Sequence, residues 1–216
     1  MVAQRDQLRL RPLLERDASV ISQAFADIGW NRPVLQYEQY LAEQQQSIRQ
    51  CWVALLDARF AAYVTLHWNP LYSGIAGKGV PEIQDLNVLP RYRRQGIATR
   101  LLDRAEQSAA SRAAFVAVGV GLHPGYNAAQ RLYARRGYIP DGLGVTYEDR
   151  FVEAGELVRF DDELVLHLIK SLRPANAGIS SSVSSSPLSS SSVPSSVRPG
   201  GTPPGRGTRE QRRSAD

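Results

Sequence analysis

The stretch Asp85-Leu-Asn-Val-Leu-Pro-Arg-Tyr-Arg-Arg-Gln-Gly-Ile-Ala98 lies near the middle of this 216-residue chain and decides its fold. Residues 82–89 predict a β-strand, which Pro90 ends because proline has no N–H to donate to a sheet. A helix is predicted over about residues 95–111, with apolar residues at helical spacing on one side. The stretch therefore predicts a strand, a tight turn and a helix, in that order.

The turn between this strand and this helix concentrates positive charge at Arg91, Arg93 and Arg94. Gly96 permits a close approach of the backbone, and free N–H groups at a helix start bind anions. These features predict an anion cradle, with a pyrophosphate as the expected ligand. The turn lacks the Gly-Lys-Ser/Thr of a P-loop and two of the three glycines of a dinucleotide fingerprint. From the residues alone, an exposed basic turn that precedes a core helix is an open alternative.

Mixed strands and helices are predicted on both sides of this stretch. Strands are expected at residues 8–11, 52–56, 60–68, 115–122 and 163–169, with short β segments after residue 137, and helices from residue 17 onward and at residues 34–47 and 126–136. No internal repeat is visible. This order predicts an α/β (α+β) domain with a mixed central sheet of about six to seven strands flanked by helices.

The distribution of charge divides the chain in two. The sequence has 26 basic and 21 acidic residues, a net charge of +5, but residues 173–216 carry +4 of it. Residues 180–197 contain twelve serines, and such a segment cannot bury enough apolar surface to offset the entropy of ordering. We therefore predict one folded domain, residues 1–172, and a disordered Ser/Pro/Gly/Arg-rich tail, residues 173–216. A nucleic-acid arm in the tail is the alternative, but the +1 charge of the predicted domain argues against a nucleic-acid partner.

The remaining composition excludes several classes of protein. A single cysteine, Cys51, excludes an internal disulfide and a cysteine-rich zinc site. The three histidines, His67, His123 and His167, are far apart in the sequence, so no metal site is expected. The N-terminal residues lack the apolar core of a signal peptide, and the longest apolar stretch, residues 113–122, is too short to span a membrane. A soluble, cytoplasmic protein is therefore expected.

Two motifs in the predicted domain resemble those of a known family. Arg93-x-x-Gly96-x-Ala98, preceded by Leu86-x-Val88-x-Pro90, is similar to the acetyl-coenzyme A signature of the GNAT-superfamily N-acetyltransferases. Downstream, Ala129-x-x-Leu132-Tyr133 followed by Arg136-Gly137-Tyr138 resembles that family's later helix and its Gly-aromatic end. The motifs stand in the right order with one strand between them. The resemblance spans about residues 7–170 and implies a single GNAT-like domain.

This resemblance implies acetyl-CoA as cosubstrate and no metal. In such folds, the strand before the signature and the next parallel strand splay apart, and the pantetheine arm fills the gap. The backbone of Leu86 and Val88 would then bind the pantetheine, and backbone N–H groups of the turn would hold the pyrophosphate. The residues implied for cofactor binding are Leu86, Val88, Arg93, Arg94, Gln95, Gly96, Ile97, Ala98 and Thr99.

The resemblance also implies the groups that move protons. Tyr133 resembles the phenol that acts as general acid on the departing thiolate, and a core aromatic at helical spacing is the alternative. Glu82 and Asp85 are the candidates for general base; Glu82 is favoured because it resembles the acid often found at the start of this strand. Regular alternation would place the two carboxylates on opposite faces, but the bulge common in this strand leaves that open. Either acid is alternatively a surface charge, and the Val88 N–H is expected to stabilise the oxyanion.

One position departs from the family pattern. The family often has Asn three positions before the Ala of the second motif, whereas this chain has Tyr126 there, and Asn127 follows one residue late. No role is therefore carried over to Asn127, although Tyr133 stays aligned.

The expected activity is transfer of the acetyl group of acetyl-CoA to a primary amine of a small molecule or a peptide. Aromatic and acidic residues in predicted loops are consistent with a cationic acceptor without identifying it: Trp30, Trp68, Tyr72, Tyr147, Asp141, Glu148, Asp149 and Glu153. A homodimer is compatible with the resemblance, because dimers are common among similar proteins. The alternative is a non-catalytic acyl-CoA-binding module of the same fold, which would keep the anion cradle without needing Tyr133 or Glu82.

Overall fold

The computed structural model describes residues 7–172, and the predicted tail, residues 173–216, lies outside the described residues. The strands are β1 (Leu8–Pro12), β2 (Arg49–Leu56), β3 (Arg59–His67), β4 (Glu82–Val88), β5 (Phe115–Gly121), β6 (Ile139–Tyr147), β7 (Arg150–Phe151) and β8 (Leu164–Ser171). The α-helices are α1 (Asp17–Ala26), α2 (Val34–Gln45), α3 (Ile97–Ala110) and α4 (Asn127–Arg135). Within residues 7–172 the strands form one sheet in the order β1-β2-β3-β4-β5-β8-β6-β7.

The predicted fold class is confirmed, but the sheet has eight strands rather than six to seven. The strands that account for the higher number are β6 and β7. Gly142 and Gly144 interrupt the alternation of β6, whose register against β8 shifts between Pro140 and Val145. β7 has only two residues. The sequence predicts short β segments after residue 137, but neither strand has a local pattern that gives its bounds.

β2 and β3, which include the strands predicted at residues 52–56 and 60–68, form a hairpin. Asp57 and Ala58 form its turn with φ of +48° and +64°, and two left-handed residues match the right-handed twist of the paired strands. Pairing of β2 with β3 is antiparallel over the length of both strands. After this hairpin, β3 pairs with β4, the strand in which the signature begins.

The sheet buries an apolar cluster on each face. On one face, α3 contributes Leu101 and Leu102, both at 0% exposure, and Tyr133 of α4 belongs to the same cluster. On the other face, α1 and α2 contribute Phe25 and Tyr37. Because the central strands are covered on both sides, a ligand needs a gap between strands or a polar region on one face.

Candidate active site

A gap opens between β4 and β5, the parallel pair of the described sheet. Their pairing covers only Glu82 with Ala117 and Ile83 with Val118. Beyond Ile83, β4 continues to pair with β3, and β5 continues to pair with β8 as far as Gly121. The two strands therefore separate, as the family resemblance predicts, and β4 has a free edge along the gap.

A β-bulge in β4 decides which side chains face which side of the sheet. The register against β3 shifts between Tyr63 and Thr65, and Asp85 has a φ of +49°. Such a bulge inserts one extra residue and reverses the alternation beyond it. Glu82 and Asp85 consequently lie on the same face, towards α2, and not on the opposite faces that regular alternation would give.

Asp85 lies against α2 and has two neutral partners. The Tyr40 hydroxyl donates a short hydrogen bond to its Oδ2, and Gln36 Nε2 approaches the same oxygen at 3.3 Å. Burial, together with the Asp85 charge, raises the pKa of Tyr40 well above its ordinary value, so the phenol keeps its proton. The bulge therefore presents a half-buried carboxylate that neutral donors hold in place.

Glu82 is more deeply buried, with 5% of its surface exposed. Gln84 Nε2 donates to its Oε2 at 2.8 Å, and His167 Nδ1 lies 3.5 Å from its Oε1. Arg49 does not contact the carboxylate; its Nη1 donates to Gln84 Oε1 at 2.8 Å. The Gln84 amide therefore orients the Glu82 carboxylate, and the Arg49 guanidinium contacts Gln84 rather than Glu82.

Sequence reasoning missed the neighbours that enclose Glu82. His167 of β8 and Thr146 of β6 are both buried, and the Tyr72 ring stacks on the His167 ring at 3.4 Å with an interplanar angle of 4°. His67 and His167 are 100 positions apart in the chain. His67 pairs with Glu82 across β3 and β4, and His167 reaches Glu82 from β8, across β5. The sequence contains only a weak signal for these two residues, because each histidine interrupts an apolar stretch of a strand.

The turn before α3 has the backbone geometry of an anion site. Arg94 and Gly96 have φ of +64° and +78°, and left-handed residues in such turns direct successive N–H groups into a concavity. No side chain caps α3 at Gly96, and its first turn has no acidic residue. The N–H groups of Ile97, Ala98 and Thr99 have no carbonyl partner within the helix. The helix dipole adds to their attraction for an anion.

The arginine side chains of this turn are exposed. Arg93 Nε donates to the Val88 carbonyl at 3.1 Å, and the Arg93 guanidinium lies 5.8 Å from the Trp30 ring centroid. Arg91 and Arg94 also extend from the turn. Positive charge therefore surrounds the free N–H groups without filling the space in front of them.

Tyr133 of α4 has only 4% of its surface exposed. Its ring makes an edge contact with the Tyr138 ring at 5.6 Å between centroids. Burial raises the pKa of the Tyr133 phenol well above its ordinary value of 10.0, so the hydroxyl is protonated at neutral pH. Core packing and the ability to donate a proton are therefore combined in one side chain.

The departure at Tyr126 places an aromatic ring at the end of β5. The ring lies across Gly121, where a Cβ would collide with it, and it makes an edge contact with His123 at 4.9 Å. Burial raises the pKa of Tyr126 to about 12. Asn127 begins α4 and is exposed.

Residues 15–138 match the model of the acetyltransferase (GNAT) family, which is more than half of the chain. The chain belongs to the GNAT family. The protein is therefore an acetyltransferase. The matched residues include the signature turn and α4, the helix that carries Tyr133. A comparison with curated proteins finds no match.

Solved structures of other GNAT proteins share the fold. yncA of Salmonella typhimurium, with its cofactor acetyl-CoA, has 17% sequence identity and a TM-score of 0.57, with 81% of this chain and 99% of that chain covered. A ribosomal-protein-alanine N-acetyltransferase of Brucella melitensis has 17% identity and a TM-score of 0.56, with 76% and 99% covered. The spermidine/spermine N-acetyltransferase SpeG of Vibrio cholerae has 17% identity and a TM-score of 0.54, with 77% and 94% covered.

The aromatic residues considered for an acceptor wall lie apart in this GNAT fold. Trp68 packs towards the α3 cluster, with the Arg112 guanidinium 4.4 Å from its ring centroid. Tyr72 is buried on the other face, and Tyr147 lies on β6. Trp30 is 37% exposed and adjoins the signature turn. Of the four, Trp30 and Tyr72 are the ones near the candidate site.

The other candidate groups are accounted for by their surroundings. Cys51 is buried, and burial raises the pKa of its thiol to about 12, which disfavours the reactive thiolate. Among residues 7–172, no three His, Cys, Asp or Glu side chains are grouped so that they could hold a metal ion. In the same part of the chain, no helix combines the length and apolar character that crossing a bilayer requires.

Proposed function

We propose that this GNAT protein is an N-acetyltransferase that moves the acetyl group of acetyl-CoA to a primary amine of a small molecule or a peptide. One observation carries the proposal: the free edge of β4 along the gap leads directly into the uncapped N-terminus of α3. Acetyl-CoA carries its thioester on a long arm with amide groups, which the free edge of β4 can bind. It also carries a pyrophosphate, which the N-terminus of α3 can bind. The family membership supports the same activity.

The free edge of β4 supplies the donors and acceptors for the arm of acetyl-CoA. Beyond Ile83, no strand among residues 7–172 pairs with this edge, so backbone groups of Leu86 and Val88 are available to the pantetheine amides. The Val88 carbonyl already accepts from Arg93, but a carbonyl oxygen has two lone pairs. The Arg93 N–H already donates to the Pro90 carbonyl, so the N–H groups of residues 94–98 and the Thr99 hydroxyl hold the pyrophosphate. The exposed arginines, Arg93 included, attract it over a range that salt shortens.

Bound acetyl-CoA supplies an activated acetyl group, and the protein must move two protons. Glu82 takes one from the acceptor ammonium, directly or through water, and Tyr133 gives one to the departing thiolate. The second proton that the nitrogen loses as the amide forms returns Tyr133 to its protonated form. The Leu89 N–H donates to the Ala61 carbonyl on β3 at 3.0 Å. Because successive N–H groups of a strand alternate in direction, the Val88 N–H points towards the gap, where it stabilises the oxyanion.

Asp85 lies on the same face as Glu82 and is the second acidic group for the acceptor. Its carboxylate attracts the ammonium, and it is the alternative base. Two carboxylates on one face favour a cationic amine. SpeG of V. cholerae acts on spermidine and spermine, and the B. melitensis protein acts on a ribosomal protein; we propose the same broad class, amines, for this chain. A cytoplasmic location and a homodimer complete the proposal.

The experiment combines a thermal-shift titration with a thiol-release assay. Saturation with acetyl-CoA at about 100 times its Kd should stabilise the full chain by about 2.7 kcal/mol, and Gly96→Glu should abolish the shift, since a carboxylate would occupy the pyrophosphate site. Gly155→Glu is the matched control because Gly155 also has a left-handed φ, of +86°, and no atom lies within 4 Å of the position that a Cβ would take there. It should keep the shift.

The thiol-release assay then tests transfer across a panel of polyamines, aminoglycosides and peptides with free N-termini. Release of CoA thiol that depends on one of these amines supports the enzyme. Stabilisation by acetyl-CoA without release for any amine would favour the non-catalytic acyl-CoA-binding module. No stabilisation by saturating acetyl-CoA would refute both.

A further inference from the structure

A second buried side chain, His167, faces the proposed base Glu82. His167 is 7% exposed, and its Nδ1 lies 3.5 Å from Glu82 Oε1. Thr146 Oγ1 lies 3.1 Å from the other ring nitrogen, Nε2. The three side chains form a row across β6, β8 and β4, with the imidazole in the middle.

The imidazole is held on its face as well as at its edge. Tyr72, from the loop between β3 and β4, stacks on it at 3.4 Å between centroids. The Tyr72 hydroxyl donates to Asp141 Oδ2 at 2.6 Å, which fixes the ring that covers His167. Rotation of the imidazole away from Glu82 would break the Thr146 contact and the stacking together.

His167 Nδ1 is buried and has no hydrogen-bond partner among residues 7–172. A buried polar atom without a partner costs free energy, so such atoms in folded proteins call for an explanation. The nearest charged group is the Glu82 carboxylate. A small movement of this carboxylate would bring it within hydrogen-bond distance of Nδ1.

We propose that His167 is a positioning residue for Glu82: fixed by Thr146 and Tyr72, its Nδ1–H stabilises the ionised carboxylate in the orientation that accepts the proton of the amine. The inference rests on the proposed function, because it assigns Glu82 as the base. His167 itself touches neither the acetyl donor nor the amine.

The Thr146 contact fits the tautomer that this role requires, and the charge of Glu82 selects it. A hydroxyl can donate to Nε2 only when that nitrogen carries no proton, and the neutral imidazole then has its proton on Nδ1. The opposite tautomer would direct a lone pair of Nδ1 at the carboxylate. Ionised Glu82 therefore favours the Nδ1–H form, and in that form the Thr146 hydroxyl donates to Nε2 instead of accepting from it.

Other titratable groups surround the pair without taking over its role. They come from the neighbouring elements and are His67 on β3, Arg49 on β2, Glu43 on α2, Asp85 on β4, Tyr72 in the loop before β4 and Asp141 on β6. Burial, and then the Arg49 charge, lower the pKa of His67, which is neutral at neutral pH. Burial raises the pKa of Tyr72, so its phenol keeps its proton.

The first test is the pH profile of kcat/KM for the full chain, measured by thiol release with acetyl-CoA and the best amine of the panel. His167→Phe keeps a ring against Tyr72 but has no donor. It should lower kcat/KM by about 10- to 100-fold, a part of the 10²–10⁴ that a general base supplies, and move the acid limb to higher pH. His167→Asn places an amide donor near the position of Nδ1 and should restore most of both quantities.

An unchanged acid limb in a folded His167→Phe variant would overturn the proposal. So would an Asn variant that is no better than the Phe variant, because a purely structural imidazole is not rescued by one donor. Thermal unfolding of each variant shows whether it is folded at the assay temperature.

The second test needs no turnover. Nitrogen-15 NMR of the three histidines, with His167 assigned from the His167→Asn spectrum, reports which ring nitrogen carries the proton. The Nδ1–H tautomer is expected at pH 7.5, and the Nε2–H tautomer would overturn the proposal. Because the tautomer is read without substrate, this result can fail while the acetyltransferase activity stands, and inactivity of the wild-type protein with all amines would instead count against the proposed function.

Discussion

Two buried glutamates, Glu106 and Glu82, have opposite surroundings. Glu106 of α3 accepts from Arg136 Nε and Nη2 at 2.9 Å each and from Lys170 Nζ at 2.6 Å. The Tyr138 hydroxyl adds a fourth hydrogen bond at 3.1 Å. Glu82 has one amide donor and a histidine at 3.5 Å.

The difference separates a structural carboxylate from a reactive one. Burial raises the pKa of Glu106, but the hydrogen bonds from Arg136 and Lys170 outweigh it, and the pKa is lowered overall. A carboxylate with two cationic partners is a poor proton acceptor. In the part of the chain that the structure describes, no Lys or Arg contacts Glu82, and Arg49 reaches it only through Gln84. Glu106 therefore ties α3 to the end of α4 and to β8, whereas Glu82 keeps the capacity to accept a proton.

The largest expected effect is that of Glu82→Gln on turnover. The amide has nearly the same shape but cannot accept a proton from the amine, so kcat should fall by about 10²–10⁴, equivalent to about 3–5 kcal/mol in the barrier. Binding of acetyl-CoA, measured by thermal shift, should be unchanged. A loss of less than tenfold would transfer the role of base to Asp85, and Asp85→Asn would then show the large loss.

The next effect is that of Glu106→Gln on stability. This substitution leaves Lys170 without its carboxylate and Arg136 with only that of Asp103. Breaking a buried ion pair costs about 3–5 kcal/mol; we expect about 3 kcal/mol, because Arg136 keeps this second partner and its side chain is 14% exposed. For a domain of this size that lowers Tm by about 6–12 °C. Turnover per folded molecule at low temperature should be unaffected.

Glu163→Gln is the matched control for this substitution. Glu163 is exposed, and exposed positions of this kind change the free energy of unfolding by only about 0.5 kcal/mol. Equal Tm values for the Glu106 and Glu163 variants would mean that the ion pairs of Glu106 do not stabilise the fold. The contrast between a structural Glu106 and a reactive Glu82 would then be refuted.

The two glutamates also show which parts of the structure a sequence can predict. The strand, turn and helix from residue 82 to residue 111 were predictable because Pro90, Gly96 and the apolar spacing of α3 act locally. The position of the bulge at Asp85 was not: the family resemblance raises a bulge in this strand, but a register shift against β3 leaves no mark in the alternation of β4. The approach of His167 to Glu82 depends on β8 inserting between β5 and β6, which no local pattern encodes.

A smaller effect is expected from Tyr133→Phe. Tyr133 lies on the same face of the sheet as Glu106, but its hydroxyl is proposed to act in the gap between β4 and β5. Loss of the hydroxyl should slow turnover by about 100-fold, the lower end of the range for general acids and bases. Acetyl-CoA affinity should be retained, because the ring and its contact with Tyr138 remain. Turnover equal to that of the wild type would assign Tyr133 to packing alone.

The smallest effect is the pH dependence of the Glu106 contribution. The pKa of Glu106 is lowered in the folded state from its ordinary value of 4.5, so the unfolded chain binds its proton first as the pH falls. The stabilisation is fully present above about pH 4.5 and is lost as the pH falls through the folded pKa. The difference in Tm between the wild type and Glu106→Gln should therefore be constant from pH 6 to pH 8 and narrow below pH 4.5, whereas a difference that widens there would mean that the carboxylate stabilises the fold in its protonated form. Because Glu43, whose pKa is also lowered, titrates in both proteins, comparing the two Tm curves isolates the Glu106 carboxylate from the other acids of the fold.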